Sequence, residues 1–264
     1  NRLHNPLLAE QVLTDEQADL VAVGRALLAD PELPNKVQRS AFEEILPCIS
    51  CNQACVVRVA LQEPISCLLN PACGRESEFA IVPALAPKRV LVVGGGPAGL
   101  EAARVAALRG HDVTLLEEDD QLGGEFALAS VPPRKDVVAD ALGWMIRQVH
   151  KAGVTVELGT RASTEMIQQR NPDAVVVATG ATPVLPAVPG IEGENIILAR
   201  DVLAGKVPLG RRVLVIGGGL VGLDVASFVA SQKREVTVVE MLGSIGEDLY
   251  FGRPYWTVKA LKEQ

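Results

Sequence analysis

Two stretches of the chain share one pattern of apolar and polar positions. Arg89–Gly96 reads RVLVVGGG and Arg212–Gly219 reads RVLVIGGG, and in both copies a second apolar run (DVTLL or EVTVV) follows at the same spacing. Short apolar runs bounded by glycine are typical of buried parallel strands. The repeat therefore predicts strand, glycine-rich turn, helix and strand twice, which is the first half of a dinucleotide-binding unit.

Further elements are predicted around and between the two copies. The spacing of Lys135–Lys151 predicts a helix, and Val154–Leu158 and Ala174–Ala178 predict strands. Near the start of the chain, Asp19–Val23 predicts a buried parallel strand, and a short helix follows over Ala26–Ala29. Together these elements predict an α/β fold with parallel strands.

The composition indicates a globular protein that binds small molecules. Of the 264 residues, 48% are hydrophobic and 3% are aromatic, and the net charge is −7. Binding to nucleic acid is not expected, because it needs a basic face and aromatic stacking platforms. Charged residues interrupt every apolar run before the roughly 18 residues of a membrane helix. The first residues also lack the layout of a signal peptide, so we expect a cytoplasmic protein with no membrane contact.

The first glycine-rich turn has the form of a dinucleotide-binding fingerprint. Gly94, Gly96 and Gly99 stand as G-x-G-x-x-G directly after a predicted strand and before a predicted helix. The first glycine permits a tight turn, the second lets the backbone approach a pyrophosphate, and the third allows close packing of helix on strand. Glu117 ends the next predicted strand, where a carboxylate can accept hydrogen bonds from ribose hydroxyls.

The second turn repeats this arrangement with Gly217, Gly219 and Gly222, and its acid is Glu240. An acid there would repel the 2′-phosphate of NADPH and so favours NADH, although the basic pair at 233–234 weakens that preference. Two such units predict a relay in which hydride passes between a nicotinamide and a flavin. No cysteine follows residue 73, so the cysteine pair of a disulfide reductase is missing.

A group of cysteines precedes the first turn. Cys48, Cys51, Cys55 and Cys67 follow the pattern C-x2-C-x3-C-x11-C, with no histidine among them. Three close thiolates and one distant thiolate are typical of [4Fe–4S] ligation, but zinc also accepts four thiolates. The spacing alone leaves both metals open. The fifth cysteine, Cys73, is expected to be a small buried thiol.

In this order, the motifs resemble those of one group of iron–sulfur flavoenzymes. Asp19–Pro31 is similar to the end of an old-yellow-enzyme-type FMN barrel. Cys48–Pro71 is similar to the iron–sulfur segment of the 2,4-dienoyl-CoA reductase and trimethylamine dehydrogenase group. Gly94–Gly99, Gly123-Gly124 and Ala178–Gly180 are similar to the flavin and nicotinamide half of these enzymes. The resemblance covers essentially the whole chain.

The resemblance implies a set of cofactors and the residues that hold them. Members of the group carry FMN in a (β/α)8 barrel, a [4Fe–4S] cluster, and FAD or ADP in a domain with an inserted NAD(P)-binding domain. The implied positions are Gly24 and Arg25 for the FMN phosphate; Cys48, Cys51, Cys55 and Cys67 for the cluster; Gly94, Gly96, Gly99 and Glu117 for FAD; Gly217, Gly219, Gly222 and Glu240 for NAD; and Gly124 and Gly180 as further cofactor-binding glycines. No catalytic residue is identified in this chain.

The same resemblance divides the chain into four expected parts. Residues 1–40 would be the last part of the FMN barrel, and residues 41–87 the loop-rich iron–sulfur segment with a linker. Residues 88–183 would begin the FAD-binding domain, and residues 184–264 would form a truncated NAD(P)-binding domain. The group's substrate-binding positions lie outside this sequence, so the chain alone is expected to be inactive.

Three functions stay open at this point. The first is an NAD(P)H-dependent oxidoreductase that relays electrons from NAD(P)H through FAD and the cluster to FMN and reduces an activated C=C bond, of the enoate or dienoyl-CoA type. The second is an amine dehydrogenase or N-demethylase that passes electrons from FMN through the cluster to an external acceptor. The third is a non-catalytic nucleotide-binding module stabilised by zinc. The expected partners are a small-molecule substrate and either a second copy of the chain or an external electron acceptor.

Overall fold

The computed structural model describes residues 5–247 and 253–262. Contacts between backbone segments divide the chain into two compact units. The first unit contains residues 5–124 and 137–179, and the second contains residues 125–136 and the described residues from 180 onward. No described helix is long and apolar enough to cross a lipid bilayer. The domain boundaries expected after residues 40, 87 and 183 stay predictions.

Helices and strands alternate through most of the chain, and a 3₁₀ turn (Phe42–Glu44) precedes the cysteines. In chain order the elements are α1 (Pro6–Thr14), α2 (Arg25–Ala29), α3 (Leu33–Gln38), α4 (Val56–Ala60), β1 (Arg89–Val93), α5 (Pro97–Leu108), β2 (Asp112–Leu116), α6 (Gly124–Leu128), α7 (Asp136–Lys151), β3 (Thr155–Glu157), α8 (Thr164–Arg170), β4 (Ala174–Val177), α9 (Ala199–Leu203), β5 (Arg212–Ile216), α10 (Leu220–Ser231), β6 (Glu235–Val239) and α11 (Arg253–Lys262).

The first unit is built on a four-stranded parallel sheet in the order β3-β2-β1-β4. Val93, the last residue of β1, is level with Leu116 on one side and with Val177 on the other. The carboxyl ends of the strands therefore meet at one edge, where open α/β sheets bind their ligands. Gly94 and Glu117 follow their strands at this edge.

Sequence periodicity identified most of these elements correctly. The predicted repeat appears as β1-α5-β2 and β5-α10-β6, the predicted helix before Lys151 as α7, and the two intervening strands as β3 and β4. The α/β class with parallel strands is confirmed. The strand predicted at Asp19–Val23 is wrong, because this segment is a loop in which Leu20 is 87% exposed. A parallel strand needs a neighbouring strand for its hydrogen bonds, and no described strand pairs with it.

A buried carboxylate holds the chain that leads into the cysteines. The side chain of Asp30 is only 4% exposed and pairs with Lys36 Nζ at 2.6 Å. It also accepts hydrogen bonds from the backbone amides of Glu32 at 3.1 Å and Leu46 at 2.8 Å. A buried carboxylate with three donors is well satisfied, so it fixes the backbone just before Cys48.

The second unit contains the parallel pair β5–β6 with α10 against it. Its core is a cluster of small aliphatic side chains: Val202, Val215, Val225, Ala226 and Val229. Residues 125–136 are part of this unit, and two ion pairs join them to the rest of it. Lys135 Nζ lies 2.8 Å from a carboxylate oxygen of Asp224, and Arg200 lies 3.3 Å from Glu125.

Candidate functional site

The first glycine-rich turn is shaped by its own backbone. Gly94 has a φ of 107°, a value that L side chains rarely adopt, and its amide donates to the carbonyl of Leu116 at 2.8 Å. A Cβ on Gly99 would lie 1.8 Å from the carbonyl oxygen of Gly94, so only glycine fits there. Gly96 caps α5, whose first residue is Pro97. The first amides of a helix have no partner within the helix, so a helix start of this kind is suited to bind a pyrophosphate.

Glu117 holds the middle of this turn. One of its carboxylate oxygens accepts from the amide of Gly95 at 2.6 Å, and the other accepts from the amide of Asp119 at 2.9 Å. The residue is 7% exposed. Glu117, which is predicted from the sequence to bind ribose, therefore also stabilises the backbone of the turn.

A loop after β2 covers the same turn. The amide of Gly123 donates to the carbonyl of Gly95 at 2.9 Å, and Leu122 is buried beside Gly95. Gly124 has a φ of 51°, and a Cβ there would lie 3.4 Å from the Cα of Gly96. The structure thus brings Gly124 to the predicted nucleotide site of the first unit.

The second turn has the same local geometry. Gly217 has a φ of 100°, and a Cβ on Gly222 would lie 1.9 Å from its carbonyl oxygen. Gly219 caps α10. Glu240 accepts from the amide of Gly218 at 2.7 Å and from the amide of Leu242 at 2.9 Å. These amides, that of Leu242 first, hold the pKa of Glu240 below its ordinary value.

The four clustered cysteines line one cavity. Cys48, Cys51, Cys55 and Cys67 are half-buried and share this cavity with eight other residues. Cys73, predicted to be a buried thiol, is 4% exposed and is not among the lining residues. No group of three or more His, Cys, Asp or Glu within the described ranges is gathered as a site for one metal ion.

Two of the cavity's thiols are held in a partly apolar setting. Burial raises the pKa of Cys51 and of Cys67 above their ordinary values. Backbone amides partly offset this, since Gln53 donates to the sulfur of Cys51, and Leu69 and Asn70 donate to the sulfur of Cys67. Thiols with raised pKa values become ligands when a bound metal displaces their protons. Amides that point at sulfur are also a feature of iron–sulfur sites.

The residues predicted for the FMN phosphate lie beside this cavity. Gly24 precedes α2, and Arg25 begins that helix and lines the cavity. The guanidinium of Arg25 donates to the side-chain oxygen of Asn52 at 2.6 Å. Asn70, on the other arm of the cysteine segment, donates to the carbonyl of Leu28 at 2.9 Å. Sequence reasoning missed both contacts, which tie α2 to the cysteine segment.

Within the first unit, the cysteine segment is joined to the nucleotide-binding part by α7. Trp144 Nε1 donates to the backbone carbonyl of Glu44 at 2.8 Å, and Lys151 pairs with the Glu44 carboxylate. Glu44 ends the 3₁₀ turn before the cysteines. The remaining predicted glycine, Gly180, has a φ of 75° and is the first residue of the second of the two segments that form the second unit.

Comparisons with known proteins agree with this geometry. Residues 88–250 match the family described as pyridine nucleotide-disulphide oxidoreductase. An NADH oxidase from Thermoanaerobacter brockii is 44% identical over 94% of this chain and 39% of its own length. A cinnamate reductase from Clostridium sporogenes is 41% identical over 92% of this chain and 36% of its own length.

A solved structure extends the comparison to the whole fold. The complex of 2-naphthoyl-CoA reductase with 2-naphthoyl-CoA superposes with a TM-score of 0.94 at 37% identity. The match covers 99% of this chain and 40% of the reductase chain. The chain thus spans about two fifths of the length of the relatives that it matches.

Proposed function

We propose a function for this chain from its family, because it belongs to the pyridine nucleotide-disulphide oxidoreductase family, in its 2,4-dienoyl-CoA reductase-like group. The proposed role is to supply electrons within an NAD(P)H-dependent flavin oxidoreductase. The proposed reaction is reduction of an activated C=C bond, as in an enoate or an enoyl thioester. The similar cinnamate and 2-naphthoyl-CoA reductases support this substrate class. The observation that carries the proposal is the cavity lined by the four clustered cysteines.

We assign the first turn to FAD or ADP and the second turn to NAD(P)H. Each turn offers helix-start amides to phosphate and a carboxylate to ribose. Glu117 and Glu240 each accept two amide hydrogen bonds. An ionised carboxylate has about four lone-pair sites, so each acid can still accept bonds from two ribose hydroxyls.

The surroundings of Glu240 support NADH over NADPH. Its carboxylate would repel a 2′-phosphate. Of the basic pair at 233–234, Arg234 is already engaged, since its guanidinium donates to the backbone carbonyls of Leu209 and Gly210. A cation bound to these carbonyls is not available to neutralise a phosphate beside Glu240.

The residues around the cavity fit a [4Fe–4S] cluster held by Cys48, Cys51, Cys55 and Cys67. All four cysteines line the same cavity, and backbone amides donate to the thiols of Cys51 and Cys67. When bound, a flavin and such a cluster would supply the conversion of a two-electron hydride into single-electron steps. The contacts of Asp30 and Asn70 hold the two arms of the cysteine segment in place.

An amine dehydrogenase or N-demethylase of the same architecture is the second candidate. The second turn argues against it, because an intact nucleotide site with Glu240 in place serves an enzyme that receives electrons from NADH. A dehydrogenase that exports electrons to an external acceptor has less need of that site.

The test combines metal analysis with anaerobic reduction of the holoprotein. We expect iron and acid-labile sulfide in equal amounts, and a broad absorbance near 400 nm that dithionite bleaches. NADH should bleach the flavin, and the reduced protein should then be reoxidised by enoates or enoyl thioesters rather than by N-methylated amines. A colourless protein with stoichiometric zinc, or a flavin that NADH leaves oxidised, would contradict the proposal.

Cysteine variants give a matched comparison. Cys55→Ser should lose iron, since it removes a ligand from the cavity. Cys73→Ala should keep iron, because this buried thiol does not line the cavity. Equal iron content in the two variants would show that the cavity is not the metal site.

A further inference from the structure

Arg25 brings a positive charge to the cysteine cavity. Twelve residues line this cavity: the four cysteines, six apolar residues, Arg25 and Asn52. Within the described part of the chain, Arg25 is thus the one charged residue of the wall, and it is half-buried. Water and salt screen a partly buried charge much less than an exposed one.

The guanidinium is held against the turn that presents two of the cysteines. Its Nη1 donates to the Asn52 side chain at 2.6 Å. Asn52 directly follows Cys51 and has a left-handed backbone with a φ of 63°. The carbonyl of Asn52 accepts from the amide of Val57 at 3.1 Å, which closes the turn over Cys55. A fixed Asn52 therefore gives Arg25 a fixed position.

A cation in this position acts on the charge of any cluster that the cysteines hold. Four thiolates make a [4Fe–4S] cluster negative, and reduction adds one electron. The reduction potential of such a cluster depends on net charge, on hydrogen bonds to its sulfurs and on exposure to solvent. A nearby positive charge stabilises the more negative, reduced form and so raises the potential.

We propose that Arg25 raises the reduction potential of a [4Fe–4S] cluster held by Cys48, Cys51, Cys55 and Cys67, and that Asn52 positions it for this role. The inference rests on the proposed function, since it requires the cavity to hold that cluster. Because a guanidinium has five N–H donors, Arg25 can donate to Asn52 and still have donors for a phosphate.

The test is a redox titration of the holoprotein, followed by the EPR signal of the reduced cluster, with iron measured on each sample. Arg25→Gln removes the charge, and Arg25→Lys keeps it. Arg58→Gln is the matched control, because Arg58 lies in the helix after Cys55 but is 40% exposed and pairs with Glu63. At a fixed potential, Arg25→Gln should shift the ratio of oxidised to reduced cluster about tenfold toward oxidised, equal to about 59 mV for one electron.

The two control variants should move this ratio far less. An unchanged potential in an Arg25→Gln protein with full iron content would overturn the inference. If Arg25→Gln loses iron, Asn52→Gly decides, because glycine keeps the left-handed backbone and removes only the anchor of Arg25. A lowered potential in Asn52→Gly then supports the inference, whereas a wild-type potential or loss of iron there overturns it. Wild-type protein without iron would instead contradict the proposed function.

Discussion

The two glycine-rich turns share their local geometry and differ in what surrounds them. Gly94 has a φ of 107°, and Gly217 has a φ of 100°. Glu117 accepts from the amide of Gly95 at 2.6 Å, and Glu240 accepts from the amide of Gly218 at 2.7 Å. However, a Cβ on Gly94 would lie 2.3 Å from the carbonyl oxygen of Ala178, whereas a Cβ on Gly217 would have no atom of the described residues within 4 Å. The glycine fingerprint therefore determines the shape of the turn. The strand beside the turn, which is β4 in the first unit, determines whether a side chain can replace the first glycine.

The difference arises from the position of each first strand. β1 lies between β2 and β4, and its residues Val90, Leu91 and Val92 are buried. β5 pairs with β6 in a two-stranded sheet, and its residues Leu214 and Ile216 are 58% and 48% exposed. Among the residues that the structure describes, the same sequence pattern thus has closely packed neighbours in the first unit and fewer neighbours in the second.

The largest expected difference is between Gly94→Ala and Gly217→Ala. Both variants place a side chain at an unfavourable φ, which costs about 1–2 kcal/mol. Gly94→Ala also drives its Cβ into the Ala178 carbonyl, so we expect a total loss of about 3 kcal/mol or more in stability. Gly110 has a φ of 91°, and a Cβ there would have no described atom within 4 Å, so Gly110→Ala measures the cost of the unfavourable φ alone within the first unit.

Urea unfolding with hydrogen exchange at the amides of β1 and β5 would measure each unit separately. Equal losses of stability for Gly94→Ala and Gly217→Ala would show that the chain after β4 does not restrict the first turn to glycine more than the second.

The next largest difference is expected between Glu117→Ala and Glu240→Ala. The first change leaves the buried amide of Gly95 without an acceptor, at a cost of about 1–3 kcal/mol. The amide of Gly218 is only partly buried, so water can replace Glu240 and the second unit should lose less stability. Thermal unfolding of each variant, with Glu117→Gln as the control that keeps one acceptor, measures the difference. A larger loss for Glu240→Ala would contradict the comparison.

A smaller effect is expected on the choice of nucleotide by the second turn. Glu240→Ala removes the charge that repels a 2′-phosphate, so the ratio of the Kd for NADPH to the Kd for NADH should fall about tenfold, or about 1.4 kcal/mol. Arg234→Gln should leave this ratio unchanged, because its guanidinium is bound to carbonyls of residues 209 and 210. A selective loss of NADPH binding in Arg234→Gln would show that this residue reaches the phosphate. Titration of nucleotide fluorescence gives both constants.

Contacts between residues that are close in the sequence could be predicted, and contacts between residues far apart in the sequence could not. The turns were predictable because their glycines and acids interact within one strand–helix–strand segment. The bond from Arg25 to Asn52 and the bond from Trp144 to the Glu44 carbonyl join residues 27 and 100 positions apart, and no local pattern signals them. The strand predicted at Asp19–Val23 failed for a related reason, since an apolar run does not reveal whether a partner strand exists.

The smallest expected difference is in acid sensitivity, and it concerns Glu240. Amides of Leu242 and Gly218 lower the pKa of this carboxyl from its ordinary value near 4.5. A carboxyl with a lowered folded pKa stabilises the folded state above its unfolded pKa, and this contribution disappears as the pH falls through the folded value. Exchange protection of β5 and β6 should therefore decline below about pH 4.5, and Glu240→Gln should flatten that decline while β1 and β2 keep their wild-type profile. If β5 and β6 of the Glu240→Gln protein kept the wild-type pH profile, the carboxylate would not stabilise the second turn. The backbone of this less crowded turn would then be sufficient to hold its shape.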